Sequence, residues 1–296
     1  MPSTRDIRRR IKSVKNTKQI TKAMELVAAS KMKRAQSDAL SGVEYSTLLT
    51  RMLASVQGKI PEKFSHPFLE KREVRKRGIL LLTTDKGLCG PLNGNLFRQV
   101  TAMPRETEYI VVGRKGTQFI SRTHRKLVAD FSLPDRVSFS QIRPIAEFVM
   151  QRFIDREIDT IEVLYPRFIN TLTQEATLYP LLPLANLENI LKTLRSRKVA
   201  GREVGVAAPV ENREMIFEPS PGEVLSALLP RFISQQIYHF VLDAKASEQS
   251  ARMVAMKTAT DNASNLLEDL TLEYNKARQA AITQEILEIS AAALSN

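Results

Sequence analysis

Apolar residues at the amino end of the chain recur every three or four positions, the spacing of one helix face. Residues 3–56 contain no proline and a single glycine, Gly42. The stripe is narrow and roughly heptad-like, with weak points at Lys18 and Thr21, so it predicts an irregular coiled-coil helix over residues 1–57. Its apolar members are Ile7, Ile11, Val14, Ile20, Met24, Val27, Ala35, Ala39 and Val43.

A second helical repeat fills the carboxyl end, residues 220–296. Ser220 and Glu223 have the spacing of a capping box, and Pro221 stands at the first helical position, so a helix is expected to begin there. Pro230 is expected to kink this helix, and no glycine or proline follows it. The apolar members are Leu225, Leu228, Leu229, Phe232, Ile233, Ile237, Ala251, Val254, Thr258, Leu266, Leu270, Tyr274, Ala277 and Ala281.

Both helices are several times longer than the usual three to four turns. That length favours an antiparallel coiled coil over two ordinary amphipathic helices packed on their own domain. At about 1.5 Å per residue they would be roughly 80 and 110 Å long, so the second would overhang the first by roughly 30 Å. This overhang, from about Arg278 to Asn296, is apolar nearly all round, which indicates an external apolar sleeve, with a frayed tail as the alternative. The residues expected to bear on the sleeve are Ile282, Ile286, Leu287, Ile289 and Leu294.

The middle of the chain, residues 75–200, alternates short buried strands with helical stretches. This alternation predicts a small Rossmann-like α/β domain with a largely parallel sheet, followed by an irregular connector over residues 201–219. The fold class is therefore α/β, with a long antiparallel coiled coil made by the two chain ends. Strands are expected at 78–84, 109–113, 160–165 and 175–179, and helices at 95–103, 116–124 and 142–157.

The net charge of +12 is concentrated at the amino end. Residues 1–36 hold eleven basic and two acidic side chains, whereas residues 243–296 hold eight acidic and five basic ones. On charge alone, nucleic acid, an acidic lipid surface or an acidic protein surface could bind the basic segment. A nucleic-acid-binding coiled coil stays open at this point, although the basic run lacks aromatic residues and the apolar overhang would have no use there.

No motif in the chain predicts catalysis, a metal site or a cofactor. The loop 83–94 lies between a strand and a helix, but its glycines do not form a phosphate-binding fingerprint, and Pro91 removes a backbone N–H. A structural turn is therefore the better interpretation than a nucleotide site. The single cysteine, Cys89, excludes an internal disulfide and is expected to be a buried hydrophobe rather than a nucleophile. A small α/β enzyme with helical extensions is the least favoured hypothesis.

Four segments resemble the γ subunit of F-type ATP synthase. They are ITKAMELVAASKM (20–32), TDKGLCG (84–90), SEQSARMVAM (247–256) and YNKARQAAITQE (274–285). The resemblance implies the non-catalytic central rotor shaft of the head, enclosed by three α and three β subunits (α3β3). The foot of the shaft would bind the ε subunit and the membrane c-ring, and its rotation would couple proton, or sometimes sodium, flow to ATP synthesis.

The resemblance also assigns residues, which are matched by their position in these motifs. Contacts with the lever and catch of the β subunits are implied for Lys22, Met24, Arg252, Arg278, Gln279 and Thr283. Foot contacts with ε and the c-ring are implied for Lys33, Arg34, Phe217 and Glu218. Two departures stand out: Pro91 occupies a position where some relatives have glycine, and the cysteine-pair insertion of the chloroplast form is absent.

The family motif begins almost at Met1. We therefore expect a peripheral protein on the cytoplasmic face of a bacterial plasma membrane, with a processed protein of an organelle inner membrane as the alternative.

Overall fold

The computed structural model describes residues 3–57, 59, 64–184, 198–199, 202–203 and 217–294. The described helices are α1 (Thr4–Ser41), α2 (Val43–Gln57), α3 (Leu92–Ala102), α4 (Arg114–Arg122), α5 (Phe139–Ile154) and α6 (Pro221–Leu294), with a 3-10 turn at Pro67–Leu69. The described strands are β1 (Arg77–Leu82), β2 (Glu108–Val112), β3 (Lys126–Phe131), β4 (Thr160–Phe168), β5 (Gln174–Leu182), β6 (Lys198–Val199) and β7 (Arg202–Glu203).

The chain divides into two compact units. Unit 1 consists of Met1–Ala29 and Arg252–Asn296, and unit 2 of Ser30–Ala251. Both α1 and α6 therefore contribute residues to both units. The predicted division of the chain at residues 57, 75, 200 and 219 stays a prediction, and most of the connector 201–219 lies outside the described residues.

Unit 1 is an antiparallel helix pair. The Arg8 guanidinium donates to the Tyr274 hydroxyl at 2.6 Å, and the Thr260 hydroxyl donates to that of Thr21 at 2.8 Å. The residue numbers of these two contacts add up to 282 and 281, and such a near-constant sum is the signature of antiparallel pairing. The predicted antiparallel coiled coil is confirmed.

The seam of this pair differs from the predicted stripe in its middle. Ile20 and Val27 are 60% and 55% exposed, whereas Lys18 and Thr21 are half-buried and Ala28 is buried. On α6, the predicted Thr258 and Leu266 are exposed, and the predicted Leu270, Tyr274 and Ala277 lie in the seam. In place of the two exposed residues, the seam passes through Met256, Thr260, Ala263 and Leu267. Strict alternation of three- and four-residue steps keeps one face toward the partner, and short side chains or hydrocarbon stems suffice there. The predicted stripe followed the most hydrophobic residues, and some of these lie beside the face that contacts the partner helix.

Truncation of Ile7 should therefore destabilise unit 1 far more than the same change at Ile20. Ile7 is 2% exposed, so Ile7→Ala should cost about 2 kcal/mol or more of helix-pair stability. Ile20→Ala, on the exposed face, should change it by less than about 0.5 kcal/mol. Amide hydrogen exchange over residues 4–28 of the full chain measures both, and equal effects would show that the seam is misplaced.

Unit 2 is built on a five-stranded sheet of order β3-β2-β1-β4-β5. Strands β1 to β4 pair in parallel, and β5 is antiparallel to β4. Side chains along β1 alternate between two cores, as the pleat requires. Ile79 and Leu81 pack in the core that includes Leu96 of α3 and Ile120 of α4. Leu80 and Leu82 pack in the larger core with residues of α2, α5 and α6.

Three features of the long helices bear on the predictions made for them. The predicted first helix is divided at Gly42 into α1 and α2. The carboxyl helix begins as predicted, since the Glu223 amide N–H donates to the Ser220 hydroxyl at 3.3 Å. α6 is assigned as one helix that continues past Pro230. None of the described helices is long and apolar enough to cross a membrane.

Candidate partner-binding surfaces

The free end of α6 extends past its partner in unit 1. Because paired residue numbers add up to about 282, Thr4 at the start of α1 lies opposite about residue 278. Every described side chain from Arg278 to Leu287 is exposed, so the overhang begins where the helix lengths predict. Ile282, Ile286, Leu287 and Ile289 are 48%, 57%, 60% and 70% exposed, and the side chain of Leu294 lies outside the described ones. Such an exposed apolar surface marks a binding site.

The six residues that the resemblance assigns to the lever and catch all belong to unit 1, but they are not equally accessible. Lys22 is exposed and forms an ion pair with Glu25 at 3.0 Å, while Met24 is half-buried. Arg252 is only 8% exposed. Residues Arg278, Gln279 and Thr283 are exposed along the overhang, where the Thr283 hydroxyl donates to the Gln279 carbonyl at 2.9 Å.

The amino-terminal part of α1 carries a strongly basic surface. Residues 1–29 hold eight basic and two acidic side chains. Seven of the eight basic residues are exposed, and the eighth, Lys18, is half-buried in the seam. This surface would attract an acidic partner, with an affinity that falls as salt concentration rises.

The four residues assigned to the foot lie at two places in unit 2. Lys33 and Arg34 are exposed on α1. Phe217 is half-buried, with the Lys59 ammonium 5.3 Å from its ring centroid, and Glu218 is exposed. No contact described here joins the first pair to the second.

The carboxyl edge of the parallel sheet is the place where α/β folds most often bind ligands, at the point where the strand order reverses. In this chain that point lies between β1 and β4. A small cavity there is lined by Thr83, Thr84 and Asp85 on the sheet side and by Lys245 and Glu248 of α6. Residues 246–251 of α6 are all buried. Helix α6 therefore packs against the crevice in which many α/β folds bind their ligands.

Several polar groups of the loop after β1 bond within the loop itself. The Asn93 side chain accepts from the Thr84 amide at 3.3 Å and donates to the Thr84 hydroxyl at 2.7 Å. Cys89 is 2% exposed, packs with Leu92 and Ala251, and accepts from the Asn93 amide at 3.5 Å. These contacts are those of a structural turn with a buried cysteine. Among the described residues, no group of three or more His, Cys, Asp or Glu side chains could hold a metal ion.

Asp135 forms an ion pair that sequence reasoning missed. Its carboxylate accepts from the Lys31 ammonium at 2.5 Å. The pKa of Asp135 is lowered, mainly by this hydrogen bond, against an opposing effect of burial and with help from the charges of Lys31, Lys86 and Lys245.

The lowered pKa of Asp135 fixes the direction of its pH dependence. A carboxyl group whose pKa falls on folding contributes stability above its ordinary pKa, here 3.8, and loses it as the pH falls through the lower folded value. We expect the carboxyl carbon signal of Asp135 to titrate below pH 3.8, and Lys31→Met to move that titration back toward 3.8. A midpoint at or above 3.8 in the unaltered chain would contradict the ion pair.

This chain is similar along its whole length to proteins of one family. A family model described as ATP synthase matches residues 3–295. The ATP synthase gamma chain of Opitutus terrae is 58% identical over 295 residues, which cover 99% of this chain and 98% of that one. The gamma chain of Methylacidiphilum infernorum is 44% identical over 301 residues, with 99% and 98% covered.

Solved structures show the same fold. A chain of the central stalk and c-ring of Tetrahymena thermophila mitochondrial ATP synthase is 26% identical, with a TM-score of 0.59, and the match covers 81% of this chain and 99% of that one. A rotor chain of Euglena gracilis mitochondrial ATP synthase has a TM-score of 0.64 at 19% identity, with 94% and 98% covered. The predicted combination of long terminal helices and a central α/β domain is confirmed.

Proposed function

The chain belongs to the ATP synthase γ chain family, and from that membership we propose that it is the central-stalk rotor subunit of an F-type ATP synthase. In this role it transmits rotation between the membrane c-ring and the catalytic α3β3 head. The observation that supports this role most directly is the overhang of α6, whose apolar side chains extend past the helix pair and are exposed without a partner subunit.

The overhang suits a rotating contact. A helix that is apolar nearly all round has no preferred side toward an apolar sleeve. Dispersion and hydrophobic contacts are non-directional, so the helix can turn in a sleeve without breaking a fixed set of hydrogen bonds. The sleeve proposed here is the upper part of the α3β3 head, and the bearing residues are Ile282, Ile286, Leu287, Ile289 and Leu294.

We propose that residues of unit 1 transmit force between the rotor and the β subunits. Lys22 and the half-buried Met24 would meet the acidic lever of a β subunit, while Arg278, Gln279 and Thr283 would engage its catch. Arg252, which is buried, would act from inside the helix pair. The excess positive charge of residues 1–29 would hold the rotor against acidic levers and would raise the rate of assembly at low salt.

The foot would connect the rotor to the membrane. Lys33, Arg34, Phe217 and Glu218 are proposed to face the ε subunit and the c-ring. The solved relative from Tetrahymena thermophila contains both a central stalk and a c-ring. Because the similar curated chains are bacterial, we place this chain at the cytoplasmic face of a bacterial plasma membrane, attached through the complex.

We further propose that this subunit is not itself catalytic and carries no cofactor. At the crevice that binds nucleotides in related α/β folds, this chain has only a small cavity, lined in part by Lys245 and Glu248 of α6. Catalysis would then belong to the head, with the rotor setting which site is active. Nothing in the described residues favours the nucleic-acid or small-enzyme alternatives over this one.

Rotation in a reconstituted head tests the proposal. The full chain carries Arg122→Cys for attachment of a bead, is combined with α and β subunits, and the head is fixed to glass. Cys89 is buried, so labelling is directed to position 122. We expect ATP to drive stepwise rotation in one direction, and a buffer with ADP alone to drive none. ATP hydrolysis at full rate while the bead stays still would overturn the proposed function.

A further inference from the structure

Helix α1 is tied to the α/β part of unit 2 by two ion pairs. The Lys31 ammonium lies 2.5 Å from the Asp135 carboxylate, and the Arg136 guanidinium lies 3.6 Å from the Asp38 carboxylate. Asp135 and Arg136 are adjacent in the loop between β3 and α5. Lys31 and Asp38 are seven residues apart, so they lie on the same helix face, about 10.5 Å apart along the axis.

Helix α6 is tied to the same part of unit 2 in a similar way. The Asp243 carboxylate accepts from the amide N–H of Phe168 at 3.3 Å, and the Ser250 hydroxyl donates to the Thr171 carbonyl at 2.7 Å. Phe168 ends β4, and Thr171 lies between β4 and β5, so both partners of α6 belong to this hairpin. Asp243 and Ser250 are also seven residues apart and share one face of their helix.

The order of the charged or hydrogen-bonding groups along each helix favours one alignment of that helix with the α/β part of unit 2. On α1 the cation Lys31 precedes the anion Asp38, whereas in the loop the anion Asp135 precedes the cation Arg136. On α6 the acceptor Asp243 precedes the donor Ser250, whereas in the hairpin the donor amide of Phe168 precedes the acceptor carbonyl of Thr171. If α1 slid by two turns in either direction, two like charges would face each other. A slide of α6 that brought Asp243 opposite the Thr171 carbonyl would place two acceptors together. Such pairing disfavours these registers, which a purely apolar contact would tolerate.

These anchors contribute more to position than to stability. Lys31 and Asp135 are 41% and 50% exposed at their side chains, and exposed ion pairs of this kind contribute little to the free energy of unfolding. Two contacts separated along a helix axis nevertheless oppose both rotation of the helix about its axis and tilting, which a single contact cannot do.

We propose that these four anchors form a torsional lock that fixes α1 and α6 against the α/β part of unit 2. The inference rests on the proposed rotor function, because a rotor must pass a twist applied to its long helices on to the part that is held at the other end. Lys31, Asp38, Asp243 and Ser250 are positioning residues in this scheme. None of them belongs to the contacts assigned to the lever, the catch or the foot.

The torsional lock is tested by the width of the distribution of bead angles that thermal fluctuation produces. A firmer lock gives a narrower distribution. It is recorded in the assembled complex without ATP, with the head fixed and the bead at Arg122→Cys. We expect Asp38→Arg and Arg136→Asp, each alone, to widen the distribution, and the double variant Asp38→Arg/Arg136→Asp to restore it toward the original width. Arg143→Ala is the matched control, since its ion pair with Glu147 lies within α5 and ties no long helix.

The second helix offers a conservative comparison at one position. Asp243→Asn keeps an oxygen that accepts from Phe168, so it should leave the angular width unchanged, whereas Asp243→Ala should widen it. In the full chain, amide exchange over residues 30–41 should rise about threefold to tenfold in Asp38→Arg, the range that fits loss of one such contact, and should recover in the double variant. That measurement identifies a variant with local loosening rather than failure to fold.

Unchanged width in both single variants, or a double variant no narrower than the singles, would overturn the torsional lock. Failure of the lock can be told apart from failure of the proposed function, because the fluctuation is measured without ATP and the rotation with ATP. A complex that rotates normally with ATP but shows unchanged widths therefore contradicts only the lock. A bead that never turns with ATP contradicts the rotor itself.

Discussion

Gly113→Ala is expected to destabilise unit 2 by about 3 kcal/mol or more, because the position is strained and closed to a side chain. Gly113 has φ +104°, and a Cβ atom there would lie 2.3 Å from the Thr83 carbonyl oxygen. That carbonyl is part of the backbone, so it cannot rotate away. Thr83 is in turn held by its own amide, which donates to the Val112 carbonyl at 2.8 Å. The clash would therefore spread into the β1–β2 pairing.

A second glycine supplies the matched control for this prediction. Gly94 lies within α3, and nothing stands within 4 Å of a Cβ atom built there. Gly94→Ala should therefore stabilise the chain by about 0.5–1 kcal/mol, since alanine loses less backbone entropy in a helix. Urea unfolding of the full chain, followed by a signal from unit 2, measures both. Similar midpoints for the two variants would show that the turn after β2 relaxes freely.

The sequence was informative for buried strands and less so for exposed ones. The run Gly78–Leu82 predicts a central strand because each residue there is apolar, and all five residues lie in β1. Strand β3, at Lys126–Phe131, was missed because it is an edge strand whose side chains are mostly half-buried or exposed. Its apolar and polar residues do not show the continuous run of a buried strand.

The helix pair shows the same limit in another form. The expected lengths of the two helices were enough to locate the overhang, although the first helix is divided at Gly42. To predict the seam, one must also know which heptad positions face the partner helix. There the apolar residues Ile20 and Val27 indicated the wrong face. These residues are exposed in unit 1, so their apolar character serves something other than the helix pair. The ties of Asp135 and Arg136 to α1 join residues about 100 positions apart, so no local pattern could have indicated them.

Negative charge on the overhang should impair the complex and spare the isolated chain. The double variant Ile286→Asp/Ile289→Asp places two carboxylates where an apolar sleeve is proposed. Each isoleucine loses about 1.5–3 kcal/mol of burial in the complex, so affinity of the chain for the α3β3 head should fall at least about 100-fold. In the free chain the two side chains are 57% and 70% exposed, so its free energy of unfolding should change by less than about 0.5 kcal/mol per residue.

The control for this last prediction keeps the same positions and removes only the charge. Ile286→Leu/Ile289→Leu preserves apolar area, so it should bind the head with nearly the original affinity. Titration of labelled chain against α3β3, at two salt concentrations, separates the apolar contact from the attraction of the basic amino-terminal surface, since only the latter weakens with salt. Equal affinity of the aspartate and leucine variants would mean that the end of α6 is not enclosed, and the overhang would then be a solvated tail with no bearing role.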